Sequence, residues 1–463
     1  MPDYEQFVYF CGVIVFAGPL LLTLILGIAS LIDRPVDEDT TTRLVFYSTV
    51  AGLIASVTML ASMLIIGTRH VSIDLGNWVA VPGLYHYSIK FIFDRLSVPF
   101  LILTFVLSGT IGAFATRYMH RERGFNRFFV IYSLFVLGMV ITSLAGTIET
   151  MFAGWEFVGL SSALLVAFFQ ERPATARNAL WVWIVYRVSD AALLLAAVVM
   201  HHVQGEGDFD QILGAGSWPY EVSPVSPLTA LTVGMLLLVA AAGKSALIPF
   251  SGWLPRAMDG PTPSSAVFYG ALSVHLGAYL LLRVGPLLEQ SYILRGAVVL
   301  LGLSTAVFAY LTSSVQTDIK SALSFASLSQ VGIIVAEIGL GFRYLPLVHL
   351  LGHASLRTLQ FVRAPSLLQD YRRLENAIGE HLPVEHTPID RFLGGQRRAW
   401  LYRLAMERGY LDAYLKDFLV APFIRAFGWC DKLERRWTDY LTGDASRESD
   451  QVKPHFGTIE EML

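Results

Sequence analysis

Val239-Ala-Ala-Ala-Gly243-Lys244-Ser-Ala-Leu-Ile-Pro249-Phe-Ser-Gly-Trp253-Leu-Pro255-Arg-Ala-Met-Asp259-Gly-Pro261-Thr-Pro263-Ser-Ser265 is the stretch on which the reading of this 463-residue chain turns. An apolar run beginning near Leu228 leads into it, and Lys244 lies near the far end of that run. Pro249, Pro255, Pro261 and Pro263 then follow at short intervals. Each lacks a backbone N–H and clashes with the preceding turn, so no single helix continues through them. Broken backbone at membrane depth is tolerated only where protein buries it or where it lines a wet cavity. A lysine in hydrocarbon costs about 3 kcal/mol or more, and such residues mark ion and substrate pathways. The alternative is a lysine that snorkels from a helix end to water.

Composition points the same way. With 54% hydrophobic and 15% charged residues and a mean hydropathy of +0.54, the chain reads as a polytopic membrane protein. Its formal charge of −3 offers no basic face for nucleic acid. Cys11 and Cys430 form neither a disulfide framework nor a metal-ligand cluster. The first apolar run is too long, and its start too poor in basic residues, for a cleaved signal peptide, so it reads as the first span.

Eleven runs are long enough to cross about 30 Å of hydrocarbon. They lie near 7–32, 44–66, 93–116, 128–148, 150–169, 178–201, 228–248, 264–284, 293–315, 321–341 and 343–363. The expected fold is therefore an all-α polytopic membrane protein with about 11 transmembrane helices, the seventh broken. Alternation that puts the N-terminus outside gives the inner loops about twice as many Lys and Arg as the outer ones, which agrees with the positive-inside bias. Residues 364–463 carry 14 Lys+Arg and 16 Asp+Glu and read as a cytoplasmic tail. Within it, 400–409 and 410–429 have the pattern of amphipathic helices lying on the membrane or on a partner. The end after Thr442 has a disordered composition.

Ionisable residues inside the spans are the candidates for function. Glu156 lies mid-span, Arg187 and Asp190 share the next span at i and i+3, and Lys244 follows. A Glu156–Lys244 pair that forms and breaks would switch both groups between holding and releasing a proton. His349, His353 and Arg357 recur every four residues and form one polar stripe, with imidazoles able to pass protons near neutral pH. His275 in the eighth span reads as a core histidine or a coupling group. Asp318 and Lys320 open the tenth span, where Asp318 has the position of a helix cap. His349 and His353 have metal-ligand spacing, but no third ligand is near in sequence, so no metal or other cofactor is expected in this chain.

Gly154-Trp155-Glu156-Phe-Val-Gly159-Leu, Arg187-Val-Ser-Asp190, Gly243-Lys244-Ser-Ala, Trp253-Leu, Gly260-Pro-Thr-Pro263 and Thr317-Asp318-Ile-Lys320 together resemble the antiporter-like membrane subunits. These comprise the large proton-pumping subunit of respiratory complex I and the Mrp-type cation antiporters. The resemblance covers about residues 90–360. It implies inverted five-helix repeats, an ion path through Glu156, Lys244, His349 and His353, and modulation of the Glu–Lys pair by Arg187 and Asp190. The implied division is N-terminal helices 1–127, a first repeat 128–285, a shortened second repeat 286–363 and the tail 364–463.

The chain departs from the family at Tyr269, where a histidine is usual, and at Arg357, where a lysine is expected. The shortened form resembles the membrane subunit of bacterial DAB-type inorganic-carbon accumulation complexes. That resemblance implies a bacterial plasma membrane, a cytoplasmic zinc-containing partner similar to carbonic anhydrases, and ion-driven hydration of CO2 to bicarbonate. Two alternatives remain: a pump or antiporter subunit among other membrane subunits of a complex I-like assembly, and a non-conducting anchor for a cytoplasmic enzyme.

Overall fold

A computed structural model describes residues 2–81, 85–205, 207–214, 216–378 and 395–442. Helices α1 (Pro2–Leu31) and α2 (Glu38–Ile66) lead into a hairpin of β1 (His70–Val81) and β2 (Tyr85–Asp94). There follow α3 (Ser97–Tyr118), α4 (Phe125–Leu144), α5 (Ile148–Val166), α6 (Pro173–Gln204) and α7 (Pro227–Lys244). After an irregular passage come α8 (Leu276–Arg283), α9 (Tyr292–Ser313), α10 (Ile319–Gly339), α11 (Tyr344–Ile378), α12 (Gly395–Met406) and α13 (Ala421–Thr442). Side-chain oxygens set several starts: Thr147 caps α5, Ser226 caps α7, Ser291 caps α9 and Asp318 caps α10.

Ten helical segments among the described residues are long and apolar enough to cross a membrane. The eleventh expected span corresponds to α11, which is helical throughout but carries His349, His353 and Arg357 on a face packed against neighbouring helices. It also runs unbroken past Arg363, where the sequence pattern placed the start of the tail. Phe10, Leu31, Ile65, Tyr292 and Leu300 are exposed along the outside of the bundle, as a lipid-facing surface requires. The disordered end expected after Thr442 lies outside the described residues.

Three features depart from a simple bundle. The hairpin interrupts the all-α expectation. Its alternation of side chains sends Ile73, Phe91 and Phe93 inward, and the Lys90 carbonyl accepts the Gly146 N–H at the turn between α4 and α5. The seventh helix stops at Lys244, before any proline. Ala246 turns back in the left-handed region at φ 56°, so Pro249 and Pro255 follow the break instead of making it, while Pro261 and Pro263 begin the next span. The eighth span, Thr262–Arg283, is itself irregular: Ser265–Ala271 is π-helical and Ser273–His275 forms a tight turn before α8.

The tail folds back on this irregular region. Asp412 lies 3.3 Å from both Arg256 and Arg408, and its Oδ1 sits where a Cβ on Gly252 would stand. Leu415 and Val420 are buried, and Phe423 meets Trp183 edge to face. This part of the tail therefore docks on its own chain. Farther along α13, Phe427, Trp429, Leu433 and Trp437 remain exposed.

Candidate functional site

The end of α7 meets α5 and α6 at one point. Lys244 is fully buried, and its ammonium donates to the Trp155 carbonyl at 2.9 Å. It also lies over the rings of Trp155 and Tyr186, 5.0 and 4.6 Å from their centroids. The last turn of a helix presents unsatisfied carbonyls, so a cation there is favoured by the helix dipole. One of those carbonyls, from Gly243, is taken by the Trp253 indole N–H at 2.9 Å. Gly159 makes the space: a Cβ there would stand 3.0 Å from the Lys244 Nζ.

The acid nearest to Lys244 is Asp190, with Oδ2 4.0 Å from the ammonium. Asp190 is buried, accepts the Trp155 indole N–H at 2.6 Å, and accepts from Arg187 at 3.3 Å. Arg187 turns its other nitrogen to Glu156. The order is therefore Glu156, Arg187, Asp190, Lys244, with anion and cation alternating. The expected Glu156–Lys244 pair is not formed. Adjacent residues on a helix point about 100° apart. Trp155 faces Lys244, so Glu156 turns away to the half-buried side where Arg187 reaches it. Arg187 and Asp190 are thus links in the row.

A second polar group gathers where α11 passes the irregular eighth span. Arg357 Nε donates to His353 Nε2 at 3.1 Å, His353 Nδ1 meets His275 Nε2 at 2.9 Å, and His275 Nδ1 meets the Ala271 carbonyl at 2.5 Å. These bonds specify one direction of donation. Guanidinium can only donate, so His353 carries its proton on Nδ1 and passes it to an accepting His275 Nε2; His275 then donates from Nδ1. His275 and His353 are neutral in this arrangement. The two imidazoles bond directly because the break at Ser273–His275 turns His275 toward α11.

His349 belongs to a separate group. Its Nδ1 lies 3.0 Å from Glu337 and its Nε2 3.2 Å from Gln330, both on α10. Its ring centroid is 6.4 Å from that of His353. The expected single stripe is thus divided into two bonded groups. Both His349 nitrogens are thus engaged by α10 and neither reaches the His353 group. Among the described residues no cluster of three or more His, Cys, Asp or Glu is placed to hold a metal.

Asp318 accepts the Ser321 N–H at 2.8 Å as the cap of α10 and takes no part in either group. Lys320 reaches across to the carbonyls of Met258 and Gly260, each at 3.4 Å, and ties α10 to the passage after α7. The Tyr269 side chain lies outside the described ones.

Around the hairpin and the ends of neighbouring helices lie further ion pairs. Lys90 binds Asp208 at 2.8 Å and Asp210 at 2.5 Å, and His70 lies 3.4 Å from Asp210. Burial opposes ionisation of Asp210, but hydrogen bonds from His70 and Lys90 outweigh it and hold the carboxyl down to about 2. Arg283 holds Asp94 at 2.5 Å. Burial pushes nearby Glu221 up to about 7. The alternation of His70–Asp74 and Tyr85–Asp94 was the available signal for the hairpin.

The chain has known relatives in sequence and in fold. Residues 145–379 match the family described as NADH:quinone oxidoreductase/Mrp antiporter, transmembrane. Residues 78–129 match the N-terminal part of NADH-ubiquinone oxidoreductase (complex I) chain 5. NADH-ubiquinone oxidoreductase chain 5 of Schizophyllum commune is 35% identical over 67% of this chain and 45% of its own length. The Neurospora crassa protein of the same name is 33% identical over 68% and 44%. The chain thus spans less than half the length of these relatives. In fold it is similar to the Mrp complex from Dietzia sp. DQ12-45-1b, with a TM-score of 0.64, 22% identity, and coverage of 84% of this chain and 40% of that one. It is also similar to an archaeal membrane-bound sulfane sulfur reductase, with a TM-score of 0.64, 18% identity, and coverage of 85% and 76%. The chain belongs to the NADH:quinone oxidoreductase/Mrp antiporter family of multi-pass membrane subunits.

Proposed function

We propose that the chain is a proton-conducting, antiporter-like subunit of a complex I-like or Mrp-like membrane assembly. The observation that carries this is Lys244, buried at the end of a helix that breaks beside it, next to a row of alternating acids and bases. Arg187 stands between two carboxylates and can favour either. When it moves toward Glu156, Asp190 is left to Lys244 and keeps that amine charged. When it closes on Asp190, Lys244 loses its counter-charge and can hand a proton on. The imidazoles of His275 and His353, and the His349–Glu337 pair, are the groups suited to receive one. Arg357 does not release a proton, so its part is to orient His353.

The test is Lys244→Ala in membrane vesicles holding the assembled protein. Gradient-dependent proton movement should fall to background while the amount of assembled protein is unchanged. Wild-type flux in that variant would remove Lys244 from the mechanism.

The similarity to respiratory and Mrp-type proteins favours this setting over inorganic-carbon accumulation with a zinc partner. Purification of the intact assembly separates them: quinone-reactive or antiporter subunits support the first, a stoichiometric zinc protein the second. The alternating row likewise favours conduction over a passive anchor, for which buried charges would be a cost without a use. An outside N-terminus and a cytoplasmic tail in a bacterial plasma membrane remain part of this proposal, supported by the distribution of Lys and Arg.

A further inference from the structure

Between α2 and α3 lies a groove of about 660 Å³ that takes no part in the polar sites. It runs from Thr42 to Leu53 along α2 and from Arg117 back to Phe105 along α3. At 1.5 Å per residue those stretches are roughly 17 and 18 Å long. One leaflet of hydrocarbon is about 15 Å deep, so the groove is one acyl chain long. Its walls include the exposed Phe46 and Val106. Its floor is where the helices touch: a Cβ on Gly109 would stand 2.9 Å from Thr49.

The helices are antiparallel, so Arg43 near the start of α2 and Arg117 near the end of α3 meet at the same mouth. No acid lines the groove. Of the carboxylates at the start of α2, Asp39 is exposed one turn before Arg43, and the other two make bonds of their own. Glu38 binds His120 at 2.8 Å and the Arg121 N–H at 3.1 Å, and Asp37 caps α2 by accepting the Thr40 N–H at 2.8 Å. Two guanidinium groups at the polar end of a leaflet-long apolar slot are complementary to a phosphate ester. With no carboxylate lining the mouth to balance a choline or ethanolamine, a headgroup of net negative charge fits best.

We propose that this groove is a binding site for one anionic phospholipid, with an acyl chain between α2 and α3 and the phosphate bridged by Arg43 and Arg117. The site is independent of the proposed ion path. The test uses the full chain in phosphatidylcholine vesicles with trace spin-labelled phosphatidylglycerol or phosphatidylcholine, and reads the motionally restricted fraction of each. The wild type should prefer phosphatidylglycerol about fivefold or more at low salt. R43Q/R117Q should remove the preference, and A113F, which fills the slot and leaves the charges, should weaken it as well. Circular dichroism and the thermal midpoint verify that the variants are folded. Equal restriction of the two lipids in the wild type would mean an ordinary lipid annulus and overturn the site. A preference that survives R43Q/R117Q would overturn the arginine bridge, and one unaffected by A113F would overturn the acyl slot. Capture of a protein in place of lipid by a photocrosslinker at Thr110 in the native membrane would make the groove a subunit contact.

Discussion

The two helix breaks solve the same problem with different chemistry. At the end of α7 the opened backbone faces charges: Lys244, Asp190, Arg187 and Glu156 in an alternating row. At the turn before α8 the opened backbone faces imidazoles, with His275 bonded to His353 and to the Ala271 carbonyl. Removing one member of a charged row leaves another charge buried without its partner, which is the costly case. Removing one neutral imidazole forfeits hydrogen bonds of ordinary strength. The first break should therefore respond steeply to single substitutions and the second mildly.

The sharpest test compares the two acids of the row. Asp190→Asn should lower stability in detergent by about 3 kcal/mol and abolish proton flux, because buried Lys244 and Arg187 lose their shared anion. Glu156→Gln should cost under about 1 kcal/mol, since its pair with Arg187 is only half buried. Thermal midpoints and vesicle flux measure both, and equal losses would break the proposed order of the row.

At the second break, His353→Phe should cost about 1–2 kcal/mol and slow flux without abolishing it. His275→Phe should give the same phenotype, and the double variant should be little worse than either. Additive losses would show that the two imidazoles act separately.

The loop clusters give a pH contrast. Glu221 has a folded-state value of about 7, above its ordinary one. Its contribution is complete below about pH 4.5 and is lost as pH rises toward 7. Glu221→Gln should therefore raise the thermal midpoint at pH 8, by an amount worth roughly 1–2 kcal/mol, and leave it unchanged at pH 4. Asp210 works in the opposite sense. Its pairs with Lys90 and His70 stabilise the fold above about pH 4, and that stabilisation is lost as pH falls toward 2.

The smallest effect is expected at the tail. Asp412→Ala removes the ion pairs to Arg256 and Arg408, each partly exposed, and should cost under about 1 kcal/mol. Limited proteolysis should nevertheless cut between α12 and α13 several-fold faster if this residue fastens the tail to the passage after α7.

Much of this was legible in the residues alone. Apolar runs marked the spans, a lysine followed by four prolines marked the broken region, and Thr-Asp ahead of an apolar run marked the cap of α10. The residues alone suggest a Glu156–Lys244 pair that forms and breaks and one stripe of His349, His353 and Arg357. In this structure Glu156 bonds Arg187, and His349 and His353 bond different neighbours. Spacing specifies a face, but not which neighbour that face meets or at what depth. His275 showed no local signal of its role, because its π-helical and tight-turn surroundings have no proline to announce them.

What the sequence determined by itself is the membrane character, the approximate spans, the ionisable groups within them and the family. Burial in lipid is a property of local composition summed over about 20 residues, so it can be read without a structure. Tertiary packing alone decided that Arg187 stands between Glu156 and Asp190, that Lys244 rests on the Trp155 carbonyl, and that His275 meets His353 across 78 positions of chain. A rotation of one residue about a helix turns a side chain by about 100°, and only the contacts of neighbouring helices fix that rotation.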